Sequence, residues 1–328
     1  MIVGSAPLRV SLLGGGTDVP SFFKNHEGAV LGGSINSRVY VCVVNMVETA
    51  EYPFRFTYRT VDNANTKLQI THPVWKTLLM SRSDITRVNA ATFSDIPGNS
   101  GLGSSSSFTV AAISALDLHL GQEIDNERIA KEAIRVERHD LAEPGGWQDQ
   151  LHATYGGFRL YTFKGGSFVV GQDLLGLKDR ESLNKSSILV RIGESRSSST
   201  FHSPASDPIS KQAERDLEFQ AELAVTGARI LSGASDWSSK FDSICQLMNE
   251  NWKIKSSVSN RSSTGINDLI SFGLKNGAKS AKLCGAGGSG YVLFLGESEG
   301  LRNLANKVDS KTVLKFEFDT LGAKSVYV

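Results

Sequence analysis

Cysteine is scarce. The three present, Cys42, Cys245 and Cys284, stand far apart and are odd in number. That rules out a disulfide framework and a zinc spacing, and it suits a reducing, cytoplasmic compartment. Long apolar runs are missing: no segment reaches the ~18 continuous apolar residues of a membrane-spanning helix, and Met1–Arg9 has no charged region followed by an apolar stretch, so no membrane partner is expected. A surplus of charge is also absent. Lys plus Arg number 35 against 34 Asp plus Glu, a net +1 with no basic stripe, which argues against a nucleic-acid partner. The histidines, at 26, 72, 119, 139, 152 and 202, form no metal-binding spacing.

The 328 residues exceed what one hydrophobic core usually fills, so two domains are expected, 1–185 and 186–328. The first half is strand-rich: Arg38–Met46 is β-branched and Phe54–Tyr58 alternates apolar with polar. Helices are expected over Ser104–Leu120, closing at Gly121, and over Asp125–Leu141, with Ile129, Ala133 and Val136 on one face. Gly156–Phe163 and Ser187–Ile192 read as strands, and the polar Ser195–Pro204 stretch as a linker or mobile loop. Beyond it, helices are expected at about Pro208–Leu231, Asp236–Lys255 and Gly265–Asn276. Strand–loop–strand over Ala281–Leu295, a helix near Leu301–Val308 and a last strand near Val313–Phe318 complete the chain.

Four segments carry chemistry. In the first, Pro97, Gly98, Ser100, Gly101, Leu102 and Gly103 lead into Ser104, Ser105 and Ser106 at the start of an apolar-periodic helix. Glycines let the backbone approach a ligand closely, and a helix start offers unpaired N–H groups and a positive dipole end that favour phosphate. Hydroxyls there can hold Mg²⁺ or cap the helix. No lysine precedes the serines as in a Walker A loop, and Ser107 stands where a nucleophile elbow needs glycine. In the second, Lys282–Tyr291, the glycines at 285, 287 and 290 fit a dinucleotide fingerprint, but Tyr291–Leu295 reads as a strand where that fold needs a helix. A glycine-rich hairpin near a ligand fits better.

The third, Pro7–Asp18, runs a strand into a triple-glycine turn ending in a hydroxyl and a carboxylate, groups able to face a sugar. The fourth, Glu137–Gln150, spaces Glu137 late on a helix from Asp149 after a Pro-Gly-Gly turn. One carboxylate can hold a metal while the other accepts a proton from a hydroxyl. Taken singly, each segment also suits ordinary structure: a capped helix, a plain hairpin, a tight turn, two solvated carboxylates. Trp147 either stacks on a sugar or simply packs.

In this order the four segments resemble the GHMP kinases over essentially the whole chain, with Pro7–Asp18, Pro97–Ser107 and Lys282–Gly290 at the three superfamily motifs. Leu13–Val19, Gly101–Ser106, Gly145–Gln150 and Gly156–Phe158 look most like the D-glycero-D-manno-heptose 7-phosphate kinases; L-fucokinases and galactokinase-like enzymes share parts of the pattern. The resemblance implies an α+β fold of two domains. The N-terminal one is ribosomal protein S5 domain 2-like and carries the Ser/Gly loop; the C-terminal one is ferredoxin-like and carries the Gly-rich hairpin. It also implies a kinase that uses ATP and Mg²⁺ to phosphorylate a small-molecule sugar or sugar phosphate at its anomeric hydroxyl.

By that resemblance, the ATP phosphates lie against Pro97–Ser106, and Mg²⁺ is held by Ser105 (or Ser104) with Glu137. Asp149 orients or deprotonates the acceptor hydroxyl, with Arg9 beside it. Gly15, Gly16, Thr17, Asp18 and Gly146 face the sugar, and the hairpin with Gly287 and Gly288 closes over it. Arg196 is either a ligand to an acceptor phosphate or a solvated loop arginine. The alternatives are a kinase of an unphosphorylated sugar such as L-fucose or galactose, and a nucleotide- or sugar-binding protein on the same fold without catalysis.

Overall fold

Strand β1 (Ile2–Leu13) is buried along most of its length, with Ile2, Ala6, Leu8, Val10 and Leu12 at alternate positions on an apolar face and Ser5, Arg9 and Ser11 among the residues between them. Leu8, Val10 and Leu12 belong to one core and Ile2 and Ala6 to another. In the computed structural model, which describes residues 1–98, 100–192, 210–258, 264–285 and 290–328, this strand is paired along most of its length. It joins a mixed sheet with β2 (Gly28–Val44), β3 (Phe54–Thr57), β4 (Val61–Ala64), β5 (Val88–Ser94), β6 (Phe158–Lys164) and β7 (Ser167–Val170). A second, antiparallel sheet has β8 (Ser187–Arg191), β9 (Ser280–Leu283), β10 (Tyr291–Leu295) and β11 (Val313–Leu314) in the order β11-β8-β10-β9. The chain then returns to the first sheet as β12 (Lys324–Tyr327), so that sheet runs β12-β1-β2-β5-β3-β4 with β6 on β2 and β7 on β6.

The helices are α1 (Pro20–Phe23), α2 (Pro73–Met80), α3 (Ser104–His119), α4 (Asn126–Ile134), α5 (Gln148–Tyr155), α6 (Leu177–Lys185), α7 (Lys211–Ser232), α8 (Trp237–Val258), α9 (Thr264–Lys275) and α10 (Ser298–Lys307). Small residues seat α3 directly on β1: a methyl on Gly4 would fall 2.3 Å from the Ala111 carbonyl oxygen. On the opposite face, Ala221, Ala224 and Ala228 of α7 and Ile244 and Met248 of α8 share one core with β1 and with Leu189, Leu293 and Leu295 of the second sheet. The two halves are therefore joined through common apolar contacts, and truncating a fully buried residue such as Leu12 to alanine costs about 2–5 kcal/mol. Among the described residues no helix is long and apolar enough to cross a membrane.

The helix expected over Asp125–Leu141 is not uniform. It is α-helical to Ile134 and then widens into a π-type segment, Arg135–Asp140, where the Leu141 N–H reaches the Val136 carbonyl at 3.0 Å. Such wide turns frequently mark functional sites, and this one carries Glu137 inward to 1% exposure. The strand expected from Gly156 starts at Phe158, because Gly156 (φ +63°) and Gly157 (φ +73°) form a left-handed turn. Of the expected Val313–Phe318 strand only Val313–Leu314 joins the ladder, with Phe318 in a single bridge to Ile35. Strands β4, β5, β7 and β12 went unread because they are short or polar on one face. The Ser195–Pro204 stretch lies outside the described residues.

Candidate active site

The pairing of β1 with β2 slips between Pro7 and Arg9 and again between Ser11 and Leu13. Such irregularities re-aim side chains, and here Arg9 and Ser11 both face a cavity of about 250 Å³ between the two halves of the molecule. Arg9 Nε and Nη2 lie 2.8 and 2.7 Å from Asp149 Oδ1, and Nη1 donates to the Gly101 carbonyl at 2.7 Å. One buried guanidinium thus ties the first turn of α5 to the Ser/Gly loop. The approach is close enough that a methyl on Gly103 would sit 3.5 Å from the Asp149 carboxyl carbon.

Gly101 (φ +72°) and Gly103 (φ +80°) take the left-handed conformation and feed directly into Ser104 at the start of α3. Ser100 is buried and its hydroxyl accepts the Leu102 N–H at 3.3 Å, while Pro97 and Gly98 are exposed beside the loop. The first turn of this sixteen-residue helix can hold an anion on its N–H groups and dipole.

Glu137 faces the same turn. Its Oε2 accepts the Ser106 hydroxyl at 2.7 Å and the Gln150 amide at 2.5 Å, with Arg138 Nη2 at 3.4 Å; its Oε1 has no partner among the described residues. Burial raises its pKa, opposed by the Arg138 charge and by the nearby Thr109, Ser106 and Gln150 side chains. A buried carboxylate oxygen without a donor, beside a hydroxyl at a helix start suited to phosphate, fits Mg²⁺, which takes one or two carboxylates along with phosphate and water oxygens. No group of three His, Cys, Asp or Glu among the described residues could hold a metal by itself. The hydroxyl that reaches Glu137 is that of Ser106; Ser105 is exposed and Ser104 half-buried.

Asp18 is 1% exposed. Its Oδ2 accepts the Gln148 N–H at 3.0 Å, and its Oδ1 accepts the Gln148 side-chain amide at 3.0 Å and the Gly16 N–H at 3.1 Å. Burial, reinforced by the Asp149 charge, raises its pKa against the pull of the backbone N–H groups. Gly146 leaves the room: a methyl there would lie 1.8 Å from Asp18 Oδ2. Gly15, Gly16 and Asp18 all line the cavity, but Thr17 does not. Contrary to expectation it is wholly buried, its hydroxyl 2.8 Å from the Gly14 and Ala29 carbonyls and accepting the Ala29 N–H at 2.9 Å. It satisfies buried backbone groups of the glycine turn. Trp147 packs edge-on against Phe23 at 4.6 Å and is core.

The late glycine segment closes the site from the second half. The Cys284 N–H donates to the Tyr291 carbonyl at 2.8 Å, and a strand follows, as expected. Gly285 and Gly290 press on the Ser/Gly loop: a methyl on Gly285 would come 2.6 Å from Gly101 Cα, and one on Gly290 2.7 Å from the Ser100 carbonyl oxygen. Gly287, Gly288 and Arg196 lie outside the described residues.

Lys282 is 2% exposed and donates to the Leu12 carbonyl at 2.9 Å; burial first, then repulsion from Lys255 and Arg9, push its ammonium down to about 7. Lys255 of α8, Arg138, Gln148 and Gln150 were not foreseen as site residues. The two glutamines sit in a segment already singled out, where adjacency to Asp149 was a usable signal. Lys255, on an amphipathic helix, looks in sequence like any solvated lysine.

A helix start able to hold an anion, close beside a carboxylate that lines a cavity, is suited to passing a phosphoryl group to an alcohol. Fold and site together define a small-molecule kinase. The chain belongs to the GHMP kinases: family models of the GHMP kinases N terminal domain and the GHMP kinases C terminal match residues 70–157 and 238–311. It is 27% identical to D-glycero-alpha-D-manno-heptose 7-phosphate kinase of Campylobacter jejuni across 97% of each chain. The crystal structure of a D-glycero-D-manno-heptose 1-phosphate kinase from Bacteroides thetaiotaomicron superimposes with a TM-score of 0.81 at 19% identity, covering 100% of this chain and 99% of that one. The galactose complex of Lactococcus lactis galactokinase gives 0.72 at 13%, covering 100% and 95%. The two-domain α+β architecture is that of the family.

Proposed function

We propose that this sugar kinase transfers the γ-phosphoryl group of ATP to the anomeric hydroxyl of D-glycero-D-manno-heptose 7-phosphate, giving the 1,7-bisphosphate. The observation that carries the reading is the placement of Asp149: it is ion-paired to Arg9, opens on the acceptor cavity, and stands beside the loop that starts α3. The acceptor identity is supported by the full-length likeness to the Campylobacter enzyme.

In this mechanism Asp18, Gly146 and Gln148 position the sugar. Asp149 takes the proton of the anomeric hydroxyl as the oxygen attacks phosphorus, and the β–γ bridging oxygen leaves with the ADP. An anomeric hydroxyl is more acidic than an ordinary alcohol, so a carboxylate suffices as base. The Gly101–Ser106 loop holds the phosphates in line, and alignment plus charge stabilisation supply the rest. Glu137 and Ser106 would hold Mg²⁺, which when bound neutralises charge on the β- and γ-phosphate oxygens.

The test is direct. The protein is incubated with ATP, Mg²⁺ and heptose 7-phosphate, and the new phosphate is located by NMR. A doublet coupled to the anomeric proton is expected. Turnover of L-fucose or galactose with none of the heptose phosphate would replace this acceptor with an unphosphorylated one.

A further inference from the structure

Strand β1 ends at Leu13, and the chain then leaves its ladder with β2 for the glycine turn. Gly14 is buried there, with a left-handed φ of +78° that suits glycine. It is packed from two sides: a methyl on it would fall 1.9 Å from the Ala29 carbonyl oxygen of β2 and 3.0 Å from the Ala224 methyl of α7. A buried backbone N–H outside a ladder needs another partner. For Gly14 that partner comes from the second half of the chain, where Asn251 Oδ1 of α8 accepts its N–H at 2.8 Å.

Asn251 is wholly buried, and its Nδ2 donates to Gln220 Oε1 of α7 at 3.1 Å; Gln220 is buried as well. Other buried positions of these two helices, Ala221, Ala224 and Met248, are apolar. Two amides in such a seam cost desolvation energy unless they are paired. Their order is set by chemistry. A backbone N–H only donates, so the amide oxygen of Asn251 must face Gly14, which leaves its NH₂ for the Gln220 oxygen. Gln220 thus holds Asn251 in the one orientation that suits the turn.

The carbonyl of Gly14 is held too, by the Thr17 N–H at 3.1 Å and the Thr17 hydroxyl at 2.8 Å. Gly14 is therefore the anchored end of a short turn whose far end is Asp18, and Gly15, Gly16 and Asp18 of that turn line the cavity beside Asp149. We propose that Asn251 is a positioning residue of the acceptor site: from the second half of the chain it sets the turn that presents Gly15, Gly16 and Asp18. This deepens the sugar-kinase reading and rests on it for the cavity being the acceptor's. Among the described residues Asn251 makes no bond to the Gly101–Ser106 loop, so its effect falls on the sugar and not on the nucleotide.

Asn251→Leu keeps the volume and removes both bonds, whereas Asn251→Asp keeps an oxygen for the Gly14 N–H while Gln220 turns its NH₂ toward the second oxygen. For wild type and both variants, kcat and KM are measured for ATP and for heptose 7-phosphate, L-fucose and galactose as acceptors. Amide exchange at Gly14 is followed by NMR, with melting temperature as the folding control. Asn251→Leu is expected to raise the acceptor KM by about 10- to 100-fold, the range of a buried donor left unsatisfied, with the ATP KM within about threefold. Exchange at Gly14 should quicken with it. Asn251→Asp should restore both, although its buried charge lowers the melting temperature. Gln220→Leu, which releases the Asn251 amide without touching the turn, takes the place of Asn251→Leu if that variant does not fold.

Protection of the Gly14 amide and the acceptor KM must move together across these proteins. Faster exchange with an unchanged acceptor KM, a raised acceptor KM with Gly14 still protected, or equal rises for sugar and ATP overturns the positioning role. So does unchanged exchange in Asn251→Leu. These results leave the acceptor assignment intact where wild type turns over heptose 7-phosphate. Turnover of L-fucose or galactose alone ends that assignment instead, and the role of Asn251 is then read on the sugar that reacts.

Discussion

Arg9 reaches across 140 residues of sequence to hold one oxygen of Asp149 with two nitrogens, while its third nitrogen holds the carbonyl of Gly101. The carboxylate and the Ser/Gly loop are thereby fixed to each other by a single side chain. Asp149→Asn keeps the shape and removes the base. It is expected to lower kcat by roughly 10²–10⁴-fold with little change in ATP affinity, read by steady-state kinetics and nucleotide titration. Near-normal turnover would exclude proton abstraction by Asp149.

Glu137→Gln should raise the Mg²⁺ concentration needed for half-maximal rate and lower kcat, because the unpartnered Oε1 would be replaced by a neutral group. The same variant has a signature in the absence of metal. Burial raises the Glu137 pKa above its ordinary 4.5, so the folded state holds that proton more tightly than the unfolded chain. The cost of burying the charge is absent below about pH 4.5 and appears as pH climbs through the raised value. The melting temperature of wild type should therefore fall relative to Glu137→Gln as pH rises from about 4.5 through the raised value, and level off beyond it. A pH-independent difference would mean that the folded site does not resist ionisation.

Lys282 gives the opposite sign. Its folded pKa of about 7 lies below the ordinary 10.5, so between those values the unfolded chain binds the proton and the folded one does not. Stability from this group rises with pH across that window. The unfolding free energy of wild type, read from denaturant titrations, should gain on that of Lys282→Met by an amount on the order of 3 kcal/mol between pH 7 and pH 10. Titrating groups outside the Lys282 cluster are common to both proteins and cancel. Parallel curves would show that Lys282 keeps its proton, through neighbours that offset its burial.

Gly146→Ala places a methyl where Asp18 Oδ2 now lies, at 1.8 Å. Glycine 146 has no left-handed backbone to strain, so the damage is steric and local to the carboxylate. The KM for the sugar should rise about tenfold or more as Asp18 and its bonds to Gln148 are displaced, with the KM for ATP nearly unchanged. Equal changes in both would mean that Asp18 positions the whole loop and not the acceptor.

The sequence alone determined the local devices, because their chemistry is written in neighbouring residues. The Gly101–Ser106 run before an apolar helix announces a glycine turn and a helix start; Tyr291–Leu295 after the late glycines argues against a dinucleotide fold; Pro144–Gly146 announces the turn before Asp149. Only the tertiary structure decided which groups meet. The choice of Ser106 over Ser105 depends on the π-type turn that carries Glu137 inward. Thr17 is drawn into its own turn by backbone groups that need partners. Lys255 and Lys282 reach the cavity because α8 and β9 pack on the end of β1, a contact between segments more than two hundred residues apart. Charge, burial and reach are properties of such long-range contacts, and a residue's neighbours along the chain do not encode them.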